Sequence, residues 1–434
     1  MKANDAIRVI WVTNVELPKV ARYFSRDTVI GGWMDYSSQL LSDHENIQLC
    51  ILSMSHYEYE VELDGILYTS FNEKNFEELF IKRINAFSPD VIHVWGTEYK
   101  HALQTAHILK DRGMIDRLIL SIQGLVSVYP DHYFAYLPYG VVKKKTLAEF
   151  LLQRDLMSKC KKMKNAGIDE VNSLRTAKNC IGRTDWDYAC AKIINPQIKY
   201  YECNEILRKS FYEKEWDADN CEKDVIAFSQ ANYPIKGLHI MLEALSIIKT
   251  EKPNIKLKVL GNDPNKKKTL RDIIGGTTYT DYIKTLISKY NLSENIEFMG
   301  RLNEEEMASF LSRANVFVCA SSIENSSNSI AESMLVGAPI VASDVGGIKS
   351  FFTHEVDGLL YQADAPYMLA YSVLKILNDP ALAKSLGDSA RKRAMSDHNP
   401  EMLTDKLIDI YYDVLGRGGN DVFGNLQEHL QVED

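Results

Sequence analysis

The sequence predicts an α/β protein made of two Rossmann-like, doubly wound domains that face each other across a cleft. Short apolar runs alternate with stretches of helical period, the pattern of a parallel sheet with crossover helices. The alternation occurs twice, on either side of a polar stretch, EKEWDADNCEKD, at residues 213–224. The chain has 434 residues, too many for one ordinary hydrophobic core.

In chain order, residues 7–12 read as a strand, followed by a polar loop that ends at Gly31-Gly32. An amphipathic helix runs from about Trp33 through Leu40-Leu41, and residues 47–52 form a second strand. The stretch NFEELFIKRINAF is helical and leads into a strand at 91–95, with further strands at 118–122 and ending at Ile181. This first domain spans 1–212. In the second, 224–400, strands read at 225–228, 257–260, 296–299, 316–319 and 340–342. Helical stretches lie between them at 238–248, 282–290, 304–312 and 330–335. The tail after Leu415 is glycine-rich, then polar, and is expected to be loosely held.

Composition narrows the function. With 45% hydrophobic and 25% charged residues, the chain has the make-up of a soluble globular protein. A formal net charge of −9 argues against nucleic acid as a partner. Seven scattered cysteines with no C-x-x-C pair suit a reducing compartment, and neither a disulfide framework nor a zinc site. The first apolar stretch is too short for a signal peptide, and no run is long enough to span a bilayer. The expected location is cytoplasmic, or peripheral at the inner face of the membrane. Residues 141–164 bear on that choice. They carry eight basic and two acidic residues, with Leu147, Phe150, Leu151 and Leu156 giving an apolar side. Such a segment suits an anionic membrane surface; the competing reading is a solvated helix whose apolar stripe packs on the domain.

The most informative stretch is ANVFVCASSIENSSNSIAESMLVGAPIVASDVGG, residues 314–347. A buried strand leads into a polar loop holding Glu324, a helix begins near Ser329, and Gly337 suits its C-terminal cap. Glu332 follows Glu324 with seven residues between them. This arrangement, with the G-x-P-x-V run that follows it, resembles the acidic motif of the retaining GT-B glycosyltransferases of family 4 (group 1). In that class the first glutamate holds hydroxyls of the donor sugar and the second takes the ribose hydroxyls. Backbone N–H groups between them face sugar and diphosphate. The resemblance implies these roles for Glu324, Glu332 and the Asn328-Ser329-Ile330 segment. A carboxylate accepts two hydrogen bonds, which suits vicinal hydroxyls, and the first turn of a helix offers free N–H groups to a diphosphate. Glu332 also has a purely structural reading, because Ser329-x-x-Glu332 spells a capping box.

Other positions join the same resemblance. Lys236, in IAFSQANYPIKG at 226–237, matches the class's K-G element, whose lysine contacts the donor diphosphate. The class usually has an arginine about six residues earlier; Gln230 stands here, and Arg301 is a candidate replacement cation. Gly32, of the Gly31-Gly32 pair, would let the backbone approach the pyrophosphate. Gln123 holds the place of a histidine in many relatives; it can hydrogen-bond the donor but cannot act as acid or base. Arg183 and Asp185, beyond the strand ending at Ile181, are candidate acceptor contacts. Asp185-x-Asp187 also spells the metal motif of GT-A enzymes, but so short a motif is unspecific and recurs at Asp217-x-Asp219; no metal is expected.

The resemblance thus implies a GT-B enzyme that moves a sugar from a nucleotide-sugar, a UDP-sugar by preference, to a hydroxyl of a glycan or lipid-linked acceptor. It would retain anomeric configuration by front-face displacement, most naturally in surface polysaccharide synthesis. A last helix, about 402–416, would cross back to the first domain. The alternatives are a nucleotide-sugar epimerase of the same architecture and a non-catalytic sugar-nucleotide-binding protein. On this reading Glu324→Ala abolishes turnover and leaves the fold intact. Glu332→Ala weakens nucleotide binding, whereas under the capping reading it lowers thermal stability instead.

Overall fold

The computed structural model, which describes residues 6–26, 28, 31–228, 233–261 and 277–417, pairs the apolar runs into two sheets. The first has eight strands: β1 (Ile7–Thr13), β2 (Ile47–Met54), β3 (Glu60–Leu63), β4 (Ile66–Phe71), β5 (Val91–Trp95), β6 (Leu118–Ser121), β7 (Asn179–Gly182) and β8 (Lys199–Glu202). Their spatial order is β3-β4-β2-β1-β5-β6-β7-β8, parallel except for the β3–β4 hairpin at one edge. The second has six parallel strands: β9 (Val225–Phe228), β10 (Lys256–Leu260), β11 (Ile296–Gly300), β12 (Val316–Cys319), β13 (Ile340–Ser343) and β14 (Leu359–Tyr361). Their order is β11-β10-β9-β12-β13-β14.

Central strands such as β5 (VIHVW), β9 (VIAF) and β12 (VFVC) are buried along their whole length. Crossover helices cover both faces of a parallel sheet, so every position along such a strand is buried, and the one polar residue among these three strands, His93, is hydrogen-bonded on both ring nitrogens. In each sheet the strand order turns back at the first strand, so β1/β5 and β9/β12 are the topological switch points where ligands of such sheets bind.

The two halves exchange segments. The final helix, Pro400–Val414, places Leu403, Leu407, Ile408, Ile410 and Tyr411 in the core over the first sheet. Trp11 Nε1 donates to Tyr411 Oη at 2.9 Å, and the same hydroxyl lies 2.8 Å from His93 Nδ1. The other ring nitrogen of His93 meets Ser121 Oγ at 2.6 Å, and full burial pushes its pKa down to about 3. In return Tyr133, Leu156 and Cys160 pack into the core of the second domain. A cut at residue 212 therefore severs contacts that belong to the opposite core.

The basic segment is not one helix. It breaks into Tyr139–Lys143, Leu147–Leu152 and the start of Leu156–Thr176. A Thr146–Glu149 capping box opens the middle piece, and the Glu149 carboxylate accepts from Thr278 N (3.1 Å) and Oγ1 (2.6 Å). That pins the piece to the second domain. Leu156 is buried, whereas Leu147, Phe150, Leu151 and Leu152 are exposed. No helix among the described residues is long and apolar enough to cross a membrane.

Candidate functional site

The loop after β12 and the helix Asn328–Val336 run along the seam between the two domains. Glu324, in that loop, is 8% exposed. Its Oε2 accepts from Lys236 Nζ at 2.8 Å and from Ser321 Oγ at 3.0 Å. Burial works to lower the Lys236 pKa, but the Glu324 charge and hydrogen bond, together with Tyr233 and Cys319, outweigh it and hold the ammonium above its ordinary value. Glycines make this approach possible. Gly237 has φ 71°, and a Cβ there would come 1.8 Å from the carbonyl oxygen of Ala320. Gly346 has φ 51°, and a Cβ there would come 2.1 Å from the Glu324 carbonyl oxygen, which Gly347 N binds at 3.0 Å. The K-G and G-G elements are thus spacing devices that let three loops pass backbone to backbone around Glu324.

Glu332 is buried, and both its carboxylate oxygens are taken by one arginine: Arg208 Nε and Nη2 donate to them at 2.7 Å each. Burial raises the Glu332 pKa, with Arg208 opposing. The capping-box reading fails on position. The helix starts one residue before Ser329, its cap residue is Ser327, and no side chain closes the cap.

Two further polar clusters cross the seam. Asn325 accepts from Thr184 Oγ1 (2.8 Å), donates to Asp187 (3.0 Å), and its N–H donates to Tyr129 Oη (3.1 Å). Asn328 donates to Glu205 (2.9 Å), as does Gln123 Nε2 (2.6 Å). Arg183 forms an ion pair with that carboxylate at 3.0 Å and donates to the Gln123 carbonyl at 3.2 Å. Gln123, Arg183 and Asn328, widely separated in the chain, therefore meet on Glu205.

Several sequence-predicted positions sit differently from their expected roles. Ile330 N donates to the Ser327 carbonyl at 3.0 Å, so that N–H closes the helix's first turn and is not available to a diphosphate. Ser329 Oγ lies 3.1 Å from Ser327 Oγ. Arg183 is buried, its guanidinium committed to Glu205 and to backbone carbonyls, so it presents no free surface to an acceptor. Asp185 is exposed and only its backbone is engaged, by Ser350 Oγ at 3.2 Å. Asp187 faces inward and caps the helix Asp185–Ile194, so the two aspartates diverge. No cluster of three or more His, Cys, Asp or Glu placed to hold a metal occurs among the described residues. Arg301 is exposed just beyond β11. The left-handed backbone falls at Gly31 (φ 80°), while a Cβ on Gly32 would press on Arg208 Cδ at 3.1 Å. Gln230 lies outside the described residues.

The structure adds Arg208, Glu205, Asn325 and Tyr129, none of which carries a single-sequence signal. It also adds Glu98, in the loop after β5. Its Oε2 is buried with no hydrogen-bond partner among the described residues, and burial pushes its pKa up to about 8.

Residues 212–393 match the family model described as glycosyl transferases group 1. Those matched residues form a group 1 glycosyltransferase domain. An uncharacterized glycosyltransferase of Methanocaldococcus jannaschii is 23% identical to this chain over 199 residues, 45% of this chain and 47% of the relative. The chain spans about half the length of the curated relatives it matches (41–49% for the first seven). Likeness over the whole chain comes from solved structures. Sucrose-phosphate synthase of Thermosynechococcus elongatus superposes with TM-score 0.69 at 16% identity, covering 94% of this chain and 99% of that one. HepE of Anabaena, solved with UDP and glucose, gives TM-score 0.66 at 14% identity, covering 94% and 100%. The fold of the glycosyltransferase domain and its N-terminal companion is GT-B.

Proposed function

We propose that this protein is a retaining glycosyltransferase that moves a sugar from a nucleotide-sugar to a hydroxyl of a glycan or lipid-linked acceptor, in surface polysaccharide synthesis. The observation that carries the reading is the Glu324–Lys236 pair, held in the interdomain seam beside the helix Asn328–Val336. A carboxylate suited to vicinal hydroxyls and an ammonium suited to a diphosphate stand 2.8 Å apart, as a sugar joined to a phosphate requires. Glu324 grips the donor sugar, Lys236 neutralises the departing diphosphate, and the positive end of that helix's dipole adds to the attraction. Glu332 takes the ribose. The acceptor attacks the face the diphosphate leaves, and the leaving phosphate oxygen receives its proton, so no protein base and no metal is required. Closure of the two domains expels water that would otherwise hydrolyse the donor. HepE, solved with UDP and glucose, supports a uridine nucleotide.

The proposed location is cytoplasmic, and the seven free cysteines fit a reducing compartment. We place the contact with an anionic membrane at the Leu147–Leu152 piece. Its four apolar side chains stand exposed beside exposed Lys143, Lys144, Lys145 and Arg154.

One observation favours a second reading, binding without turnover: the oxygens of Glu332 and the amide of Gln123 are already engaged within the protein. Incubation with labelled UDP-, GDP- and ADP-sugars separates the two. Slow donor hydrolysis or transfer supports the enzyme; saturable binding with an unchanged donor after prolonged incubation overturns it.

A further inference from the structure

We infer that Arg208 is the second cation of the donor site, offering a free edge of its guanidinium to the donor diphosphate while its fork stays locked on Glu332. This rests on the donor-site reading above and names the residue that does the work of the missing arginine.

Arg208 stands just before the short helix Lys209–Glu213, where the chain passes from one domain to the other. Its aliphatic stem lies against the Gly31-Gly32 turn: a Cβ on Gly32 would be 3.1 Å from Arg208 Cδ. Its head lies on Glu332. It therefore touches both an element of the first domain and an element of the second that the reading assigns to the nucleotide. A guanidinium has five N–H donors. The Glu332 fork uses Nε and Nη2, and Nη1 donates to no described residue. The side chain keeps 15% of its surface exposed, so it is not sealed off from the seam. The guanidinium lies 4.6 Å over the Phe211 ring, which fixes its plane.

Charge gives the reason for the arrangement. A buried Glu332 beside an incoming dianion is repulsive, and Lys236 already offsets Glu324. A cation held between Glu332 and the phosphates lets both anions occupy one site. The fork occupies two of about four lone-pair positions on Glu332, so the carboxylate keeps acceptor capacity for a ribose hydroxyl.

The test is calorimetric titration of the full chain with UDP, GDP and ADP, and with uridine as a phosphate-free control. Arg208→Ala is expected to weaken UDP binding by about 10–100-fold while uridine affinity stays within about twofold. Arg208→Lys keeps the charge, loses the fork, and is expected to fall between; it also serves if the alanine variant does not fold. If wild type binds UDP and both variants bind it equally well, or if UDP and uridine weaken in parallel, Arg208 is an interdomain ion pair and nothing more. If wild type binds none of the three nucleotides, the donor-site reading itself falls and takes this inference with it.

Discussion

Replacing Glu324 with alanine tests the central pair most directly, and the structure changes what the replacement should do. Lys236 Nζ would be left in the seam with its side chain only 18% exposed and no other ion-pair partner among the described residues. Removing one partner of a buried ion pair costs about 3–5 kcal/mol, because the remaining charge stays desolvated. The partial exposure of this pair discounts that figure to about 2–4 kcal/mol. For a domain of this size that corresponds to a Tm lowered by about 5–12 °C. Glu324→Ala is therefore expected to lose stability together with turnover, which revises the expectation of an intact fold. Glu324→Gln keeps an acceptor for Lys236 and removes the charge, and the double variant Glu324→Gln/Lys236→Met removes the unpaired charge altogether. Thermal and urea unfolding of the three should rank the alanine variant as the least stable, with the double variant recovering at least half of its loss. A Tm for Glu324→Ala within about 2 °C of wild type would show that the ammonium finds solvent at no cost, and the account of a desolvated pair would be wrong.

Two other outcomes follow from the geometry. The Glu98 carboxyl has a pKa raised from 4.5 to about 8, so the folded protein keeps a proton that the unfolded chain has released between those values. Stability should fall as pH rises from 5 to 8, by up to about 4 kcal/mol, and Glu98→Gln should flatten that slope in urea midpoints; an unchanged slope refutes the burial account. The exposed Leu147, Phe150 and Leu151 beside the lysines predict flotation with anionic but not zwitterionic vesicles, reversed by salt and lost when all three become serine. Equal recovery of wild type and triple variant with the vesicles would remove the membrane contact.

What the sequence made legible, and what it hid, divides along physical lines. Strands β5, β9 and β12 were readable to the residue because burial on both faces leaves a run that is apolar throughout in β9 and β12 and broken only by His93 in β5. Strands β3 (EVEL) and β8 (KYYE) lie at or near the sheet's edges with mixed exposure and show no such run. The three-residue β14 offers too little pattern to see. At the site, Glu324, Lys236 and the glycines that crowd them were legible because the glycines are dictated locally, by backbones that pass with no room for a Cβ. Glu205 and Arg208 were not. They lie in irregular chain after β8, and each acquires its meaning from a partner more than 120 residues away, Asn328 and Glu332.

Glu332 shows how a local motif misleads when its register is off by one. Ser329-x-x-Glu332 has the letters of a capping box, but the cap is a position in the helix, and the helix begins at Asn328. With Ser329 inside the first turn, the glutamate cannot reach back to a cap N–H and instead projects into the seam, where Arg208 meets it. The consequence reaches the experiment. On the sequence alone, a lower Tm in Glu332→Ala would have pointed to a helix cap and an unchanged Tm to a ribose contact. In the folded protein the same substitution strands a largely desolvated guanidinium whatever the ribose does, so Tm falls under either reading. Only a difference that the ion pair does not touch can decide. Wild type should prefer UDP over 2′-deoxy-UDP, and Glu332→Ala should erase that preference; a preference that survives the substitution takes Glu332 away from the ribose and leaves it as the anchor of Arg208.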